Sequence, residues 1–199
     1  MRVFATVRAV RAKMKPMTTF TDRPNRALLV IDVQVDVVQD AYRREEVIAN
    51  VATLVDKARA TRTPVIWIQH NDEGMPVNSD AWQLVPELTP QPGEPHIDKQ
   101  FRSSFVDTNL EATLADLGIG SLVICGAQTN NCVRHTVHSA LDFGYDVTLV
   151  EDAHTTSDFQ WDSGLISAAR IIDEQNASSL NYSLPGRTCT LATTEETFN

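Results

Sequence analysis

From Arg26 onward, short apolar runs alternate with segments in which apolar residues return every three or four positions. The run ALLVID (27–32) reads as a strand buried on both faces, because its apolar residues follow one another without polar alternation. REEVIANVATLVDKARA (44–60) then sets Val47, Val51, Leu54, Val55 and Ala58 at helical spacing, and TPVIWIQH (63–70) is a second strand, with Pro64 at the boundary. The stretch from Asn71 to Pro95 is rich in Pro, Gly and Asn and predicts a long excursion of the kind that walls a pocket, before the chain re-enters the sheet at HIDK (96–99). Thr108 is placed to cap a helix through NLEATLADLG (109–118). SLVICG (121–126) reads as a strand, TNNCVRHTVHSALDFG (129–144) as a helix and YDVTLVED (145–152) as another strand. The remaining pattern predicts a helix over WDSGLISAARIIDEQN (161–176), a short strand near ASSL (177–180) and an irregular tail.

Strands alternating with helices build βαβ units and a parallel sheet covered on both faces, so the fold class is α/β. With 199 residues, 42% of them hydrophobic, the chain has a core for one domain and little room for two. That domain is expected over 26–199. Residues 1–25 form an extension outside it, whose first twenty residues carry Arg2, Arg8, Arg11, Lys13 and Lys15 and no acid. Such a composition suits an organellar transit peptide; an over-long start, with Met17 as the initiator, is the simpler reading.

Charge and cysteine usage narrow the function. A formal net charge of -9 opposes nucleic acid and anionic membrane surfaces and leaves a small neutral or cationic molecule as the partner. Three cysteines, at 125, 132 and 189, are too few and too scattered for a disulfide framework, and no run of about eighteen apolar residues is present. A reducing, cytoplasmic compartment is expected.

In a parallel α/β sheet, ligands sit beyond the carboxyl ends of the strands. Asp32 closes the first apolar run, Lys99 ends HIDK, and Cys132 lies in the first turn of the helix after SLVICG, so all three fall on that edge. Their chemistry is complementary. A thiol needs ionisation to attack, and a cation with a helix N-terminus favours the thiolate. Asp32 can take the thiol proton and return it to a leaving amine. Backbone N–H groups of Gln128 and Cys132, in AQTNNC, are placed to hold an oxyanion. Each residue alone has a plainer role: a strand-end turn former, a solvated charge, a small buried hydrophobe. Cys125 and Cys189 read as the last of these.

Three segments together resemble the isochorismatase-like cysteine hydrolases, over a span from about Ala27 to the end of the last helix. ALLVIDVQVD resembles the family's first strand with its Asp and Gln, here Asp32 and Gln34. DKQFRSSF resembles its Lys segment, with Lys99 and Phe105, and GAQTNNCVRHTVHSALDFGYDVTLVEDAHTT its nucleophile segment. The resemblance implies an Asp32, Lys99, Cys132 triad acting through a thioester on an amide, lactam or carbamoyl C–N bond. It also implies a cis bond before Gln128, a Rossmann-like three-layer α/β/α sandwich with a six-stranded mostly parallel sheet, and a homodimer or larger homo-oligomer. Val35, Asp36 and Val37 depart from the family's usual residues after the Gln and alter one pocket wall.

The segment IQHND followed by SDAWQLVPEL most resembles the streptothricin-hydrolase-like branch, and Gln34, His70, Trp82 and Phe105 are candidate substrate contacts. Trp82 and Trp161 read equally well as core or subunit-contact residues. Nicotinamidases of this family bind a metal through an Asp-x-His pair after the second strand. IQHNDEGM lacks that pair, and His96, His135, His138 and His154 fall into no ligand spacing, so neither metal nor cofactor is expected. Two other functions stay open: a catalytically silent member that binds a small molecule or a protein, and a thiol redox role at Cys132, which lacks a C-x-x-C partner.

Overall fold

The computed structural model describes residues 18–180 and 182–199. The opening basic segment and Met17 lie outside the described residues. Thr18 and Thr19 donate their hydroxyls to the Gly144 carbonyl, and Phe20 packs on Tyr145, so the chain is already tied to the domain before the first strand.

Nine strands and four α-helices follow in the described residues: β1 (Asn25–Ile31), α1 (Arg44–Ala60), β2 (Val65–His70), β3 (His96–Lys99), α2 (Leu110–Asp116), β4 (Ile119–Ala127), α3 (Arg134–Phe143), β5 (Asp146–Thr155), β6 (Phe159–Trp161), β7 (Gly164–Ile166), α4 (Ala168–Ser179), β8 (Ser183–Leu184) and β9 (Arg187–Ala192). Seven strands form one sheet in the order β3-β2-β1-β4-β5-β9-β8. Six of them are parallel, and β8 adds an antiparallel edge through its turn onto β9. The expected six-stranded sheet thus gains a seventh strand, two residues long and too short to leave a pattern.

β1 shows why the central runs are apolar throughout. Ala27, Leu29 and Ile31 enter the core under α2 and α3, whereas Leu28 and Val30 enter the core under α1. The chain order reverses direction beside β1, which has β2 on one side and β4 on the other. The carboxyl ends of β1 and β4 therefore flank the topological switch, where α/β sheets bind ligands. No helix among the described residues is long and apolar enough to cross a membrane.

The last third departs from the pattern reading. The helix expected from Trp161 begins only at Ala168, because Asp162, Ser163 and Gly164 (φ 117°) turn the chain into the β6–β7 hairpin. Asp158 then accepts the Ala168 N–H at 2.8 Å and starts the helix. The strand expected near ASSL is the end of α4, and the tail expected to be irregular holds β9, which pairs with β5. Thr108 does take a helix N–H, that of Leu110, although the N-cap position itself falls on Asn109.

Gly126 controls the approach of β4 to β1. Its φ is 119°, and a Cβ there would sit 2.0 Å from the Ile31 carbonyl oxygen. Gly126→Ala is expected to cost about 3 kcal/mol or more, a fall of roughly 6–12 °C in Tm for a chain of this size, read by calorimetry.

Candidate functional site

Asp32 follows β1 directly and has φ 48°, a left-handed conformation that Asp tolerates better than most side chains. Its N–H bonds the Ile68 carbonyl at 2.9 Å, so the main chain at Asp32 is anchored to β2. Lys99, the last residue of β3, reaches across with its side chain fully buried. Its Nζ donates to Asp32 Oδ2 at 2.7 Å and to Cys132 Sγ at 3.2 Å. Cys132 rides on a π-helical turn, Thr129–Val133, that joins β4 to α3. The three residues picked from separate strand ends thus meet at one ammonium group.

Electrostatics in this cluster follow from desolvation. Burial pushes the Asp32 carboxyl above the ordinary carboxylate range, with Lys99 pulling in the other direction. The Cys132 thiol is pushed up to about 12, first by burial and then by the Asp32 charge, which together outweigh Lys99. Lys99 does pull the thiol pKa down, as the sequence suggests, but burial and the Asp32 charge outweigh it and the net shift is upward. Asp32 and Lys99 already neutralise each other, and a thiolate would add an uncompensated charge to a dry site. Cys132 is thus a neutral thiol beside a carboxylate with raised basicity, and Asp32 Oδ1 has no hydrogen-bond partner within the protein.

The turn that carries Cys132 is braced at several points. The Ala127–Gln128 peptide is cis, and the Gln128 carbonyl accepts the N–H groups of Asn131 and Val133. Asn131 donates to Gln128 Oε1, and Thr156 donates its hydroxyl to Asn130 Oδ1. His154, on β5, lies buried beneath. Its Nε2 donates to Asn176 Oδ1 at 2.9 Å, which leaves Nδ1 to accept the Thr129 hydroxyl at 2.9 Å. No spacing in the sequence marks this role; only the tertiary contact between β5, α4 and the turn reveals it.

Burial lowers the His154 pKa to about 4, so the ring is neutral in the folded protein. Between that value and an unfolded value of about 6.5 the unfolded chain binds more protons, and stability rises with pH. Acidification from pH 6.5 to 4 is expected to cost up to about 3 kcal/mol through this group, and His154→Gln should flatten that part of the Tm-against-pH curve.

The other sequence-predicted contacts separate into two kinds. Gln34 is fully buried and its amide is committed within the protein: Oε1 accepts the His70 N–H, and Nε2 donates to the carbonyls of His70 and Trp82. Phe105 packs in the core, stacked on Phe143 at 4.9 Å. His70 and Trp82, by contrast, each keep a buried ring nitrogen, Nδ1 and Nε1, with no protein partner. Trp161 is 60% exposed on the hairpin and stacks on Phe159, so it is no core residue. Cys125 and Cys189 are buried thiols raised by desolvation, the latter to about 12. His135 bonds the Asn131 carbonyl and His138 stacks on Tyr182. Among the described residues no three His, Cys, Asp or Glu side chains gather in a metal-holding group.

A family model described as the isochorismatase domain matches residues 26–176. An uncharacterized isochorismatase family protein of Bacillus subtilis is 32% identical over 154 residues, covering 73% of this chain and 86% of its own length. A streptothricin hydrolase of Streptomyces noursei is 35% identical over 156 residues, which are 74% of this chain and 61% of that protein. The crystal structure of an isochorismatase from Pseudomonas putida matches with a TM-score of 0.78 at 33% identity, over 86% of this chain and 89% of that one.

Proposed function

This chain belongs to the isochorismatase family of hydrolases, and from that premise we propose that it cleaves a C–N bond of a small amide, lactam or carbamoyl compound with Cys132 as nucleophile. The observation that supports this reading most is the buried Lys99 ammonium, which donates at once to Asp32 and to Cys132. A carboxylate, a cation and a thiol in mutual contact have a joint chemistry that none has alone.

In the first half-reaction Sγ attacks the carbonyl carbon while Asp32 Oδ1 takes the thiol proton, so the buried charge moves to the substrate oxygen as the S–C bond forms. Backbone N–H groups of Gln128 and Cys132 hold that oxyanion. Collapse breaks the C–N bond as Asp32 returns the proton to the departing nitrogen, leaving a thioester and a free amine. In the second half-reaction Asp32 takes a proton from water as the oxygen attacks the thioester carbon. The C–S bond breaks, the acid departs, and Asp32 reprotonates the sulfur with Lys99 steadying the transient thiolate. No step requires a metal or an organic cofactor.

Trapping the thioester tests the reading without knowledge of the natural substrate. The protein is mixed with p-nitrophenyl acetate, quenched in acid and mapped by mass spectrometry. One acetyl group on Cys132, labile to hydroxylamine, is the expected result. Nitrophenol release that persists without acylation of Cys132 would sink the proposal.

A further inference from the structure

Beyond the three residues of the proposed reaction, and resting on it, we infer that His70 selects the leaving group: its Nδ1 accepts a hydrogen bond from an N–H on the departing nitrogen. The substrate class is then an unsubstituted or singly substituted amide rather than an ester or a fully substituted amide.

Strand register supplies the placement. His70 ends β2 and is the direct partner of Lys99 at the end of β3. Ile66 and Ile68 on β2 and Ile97 on β3 all enter the core against which Cys132 packs. Alternation along the strands therefore puts the His70 and Lys99 side chains on that same face. Asp32 sits at the next strand end, its N–H bonded to the Ile68 carbonyl.

The ring's orientation and tautomer are set from outside. The main chain of His70 is clamped by Gln34, which accepts its N–H at 2.8 Å and donates to its carbonyl at 2.9 Å. His70 Nε2 lies 3.4 Å from Asp72 Oδ2. Asp72 is itself fixed, because its Oδ1 accepts the N–H groups of Gly74 and Met75 at 2.9 and 2.8 Å. A carboxylate can only accept, so this contact favours the tautomer with the ring proton on Nε2 and the lone pair on Nδ1. That lone pair is buried and has no partner in the protein. A buried acceptor left open beside a reaction centre is satisfied by what binds there, and an ester oxygen, which has no hydrogen, cannot satisfy it.

The test compares p-nitroacetanilide, which has an N–H on its leaving group, with p-nitrophenyl acetate, which has none. His70→Leu is expected to lower kcat/KM for the anilide at least about tenfold more than for the ester, whereas His70→Gln, which keeps an acceptor, recovers part of that difference. Asp72→Asn carries the finer prediction. Its amide donates to Nε2, moves the ring proton to Nδ1 and converts the acceptor into a donor. The anilide rate should fall further than the ester rate, a split that mere loosening of the loop would not produce. Equal losses on both probes in His70→Leu, or an unchanged anilide rate, overturn the inference while the hydrolase reading stands. Absence of acetyl-Cys132 with the ester overturns the hydrolase reading and the inference with it.

Discussion

Cys132→Ala is expected to reduce turnover of the ester probe by about 10⁴-fold or more, with Tm moved by no more than about 3 °C. The two halves of that result come from different parts of the structure. In the proposed reaction the sulfur is the atom that bonds to carbon, and neither Asp32 nor Lys99 can replace it. The fold loses little, because the 2.7 Å contact between Lys99 and Asp32 persists without the thiol and the turn is held by His154, Thr156 and its own backbone. A silent binding protein on the same scaffold would show no such loss, since alanine at 132 would leave its turnover at the same background. Cys132→Ser separates nucleophilicity from shape. A thiol raised to about 12 depends on transfer of its proton to Asp32 during attack, and a hydroxyl in the same position starts from a still higher value, so the serine variant should lie near the alanine one.

The parts of this site that the sequence discloses are those set by strand ends. Asp32, Lys99 and Cys132 each follow an apolar run, and a parallel sheet brings the ends of such runs to one edge whatever the loops do. Their mutual contacts could be anticipated from that rule together with the chemistry of the three side chains. The direction of the Cys132 shift could not. It depends on how completely Lys99 is spent on Asp32 and how little water reaches the sulfur, which are properties of packing and not of spacing. His154 was illegible for a related reason, because its two partners, Thr129 and Asn176, lie on other elements and meet it only in the folded state.

The hairpin at 159–166 shows a different limit. Apolar residues at 161, 165, 168, 171 and 172 satisfy a helical period, yet a turn of Asp162, Ser163 and Gly164 within that window ends any helix. Local turn chemistry outweighed the periodicity. Gln34 shows a third: the resemblance makes it a candidate substrate contact, and only the fold reveals that its amide joins β2 to the long excursion at Trp82.

Lys99→Met should produce the largest loss of stability among single substitutions at the site, about 3–5 kcal/mol at neutral pH, because it strands the Asp32 carboxylate in a buried position without its cation. The dependence on pH follows from the direction of the Asp32 shift. Its folded pKa already lies above the unfolded value of about 3.9, and removal of Lys99, which pulls it down, raises it further. Between those two values the folded variant binds more protons than the unfolded chain, so stability falls as pH rises, at up to about 1.4 kcal/mol per pH unit. The deficit relative to wild type should be small at acid pH, where Asp32 is protonated in both folded proteins, and grow as pH rises. Asp32→Asn with Lys99→Met removes both charges and leaves no buried ion. The pair should recover most of the stability and lose the pH dependence, yet remain without turnover, since no base is left for the thiol proton. Denaturant unfolding of the four proteins across that pH range gives the coupling energy directly. Additive losses, with no recovery in the double variant, would mean that the 2.7 Å contact between Lys99 and Asp32 does not govern the site. Recovery of stability without recovery of activity would show that the buried pair is retained for chemistry, at a cost in stability that a pair of apolar side chains would not incur.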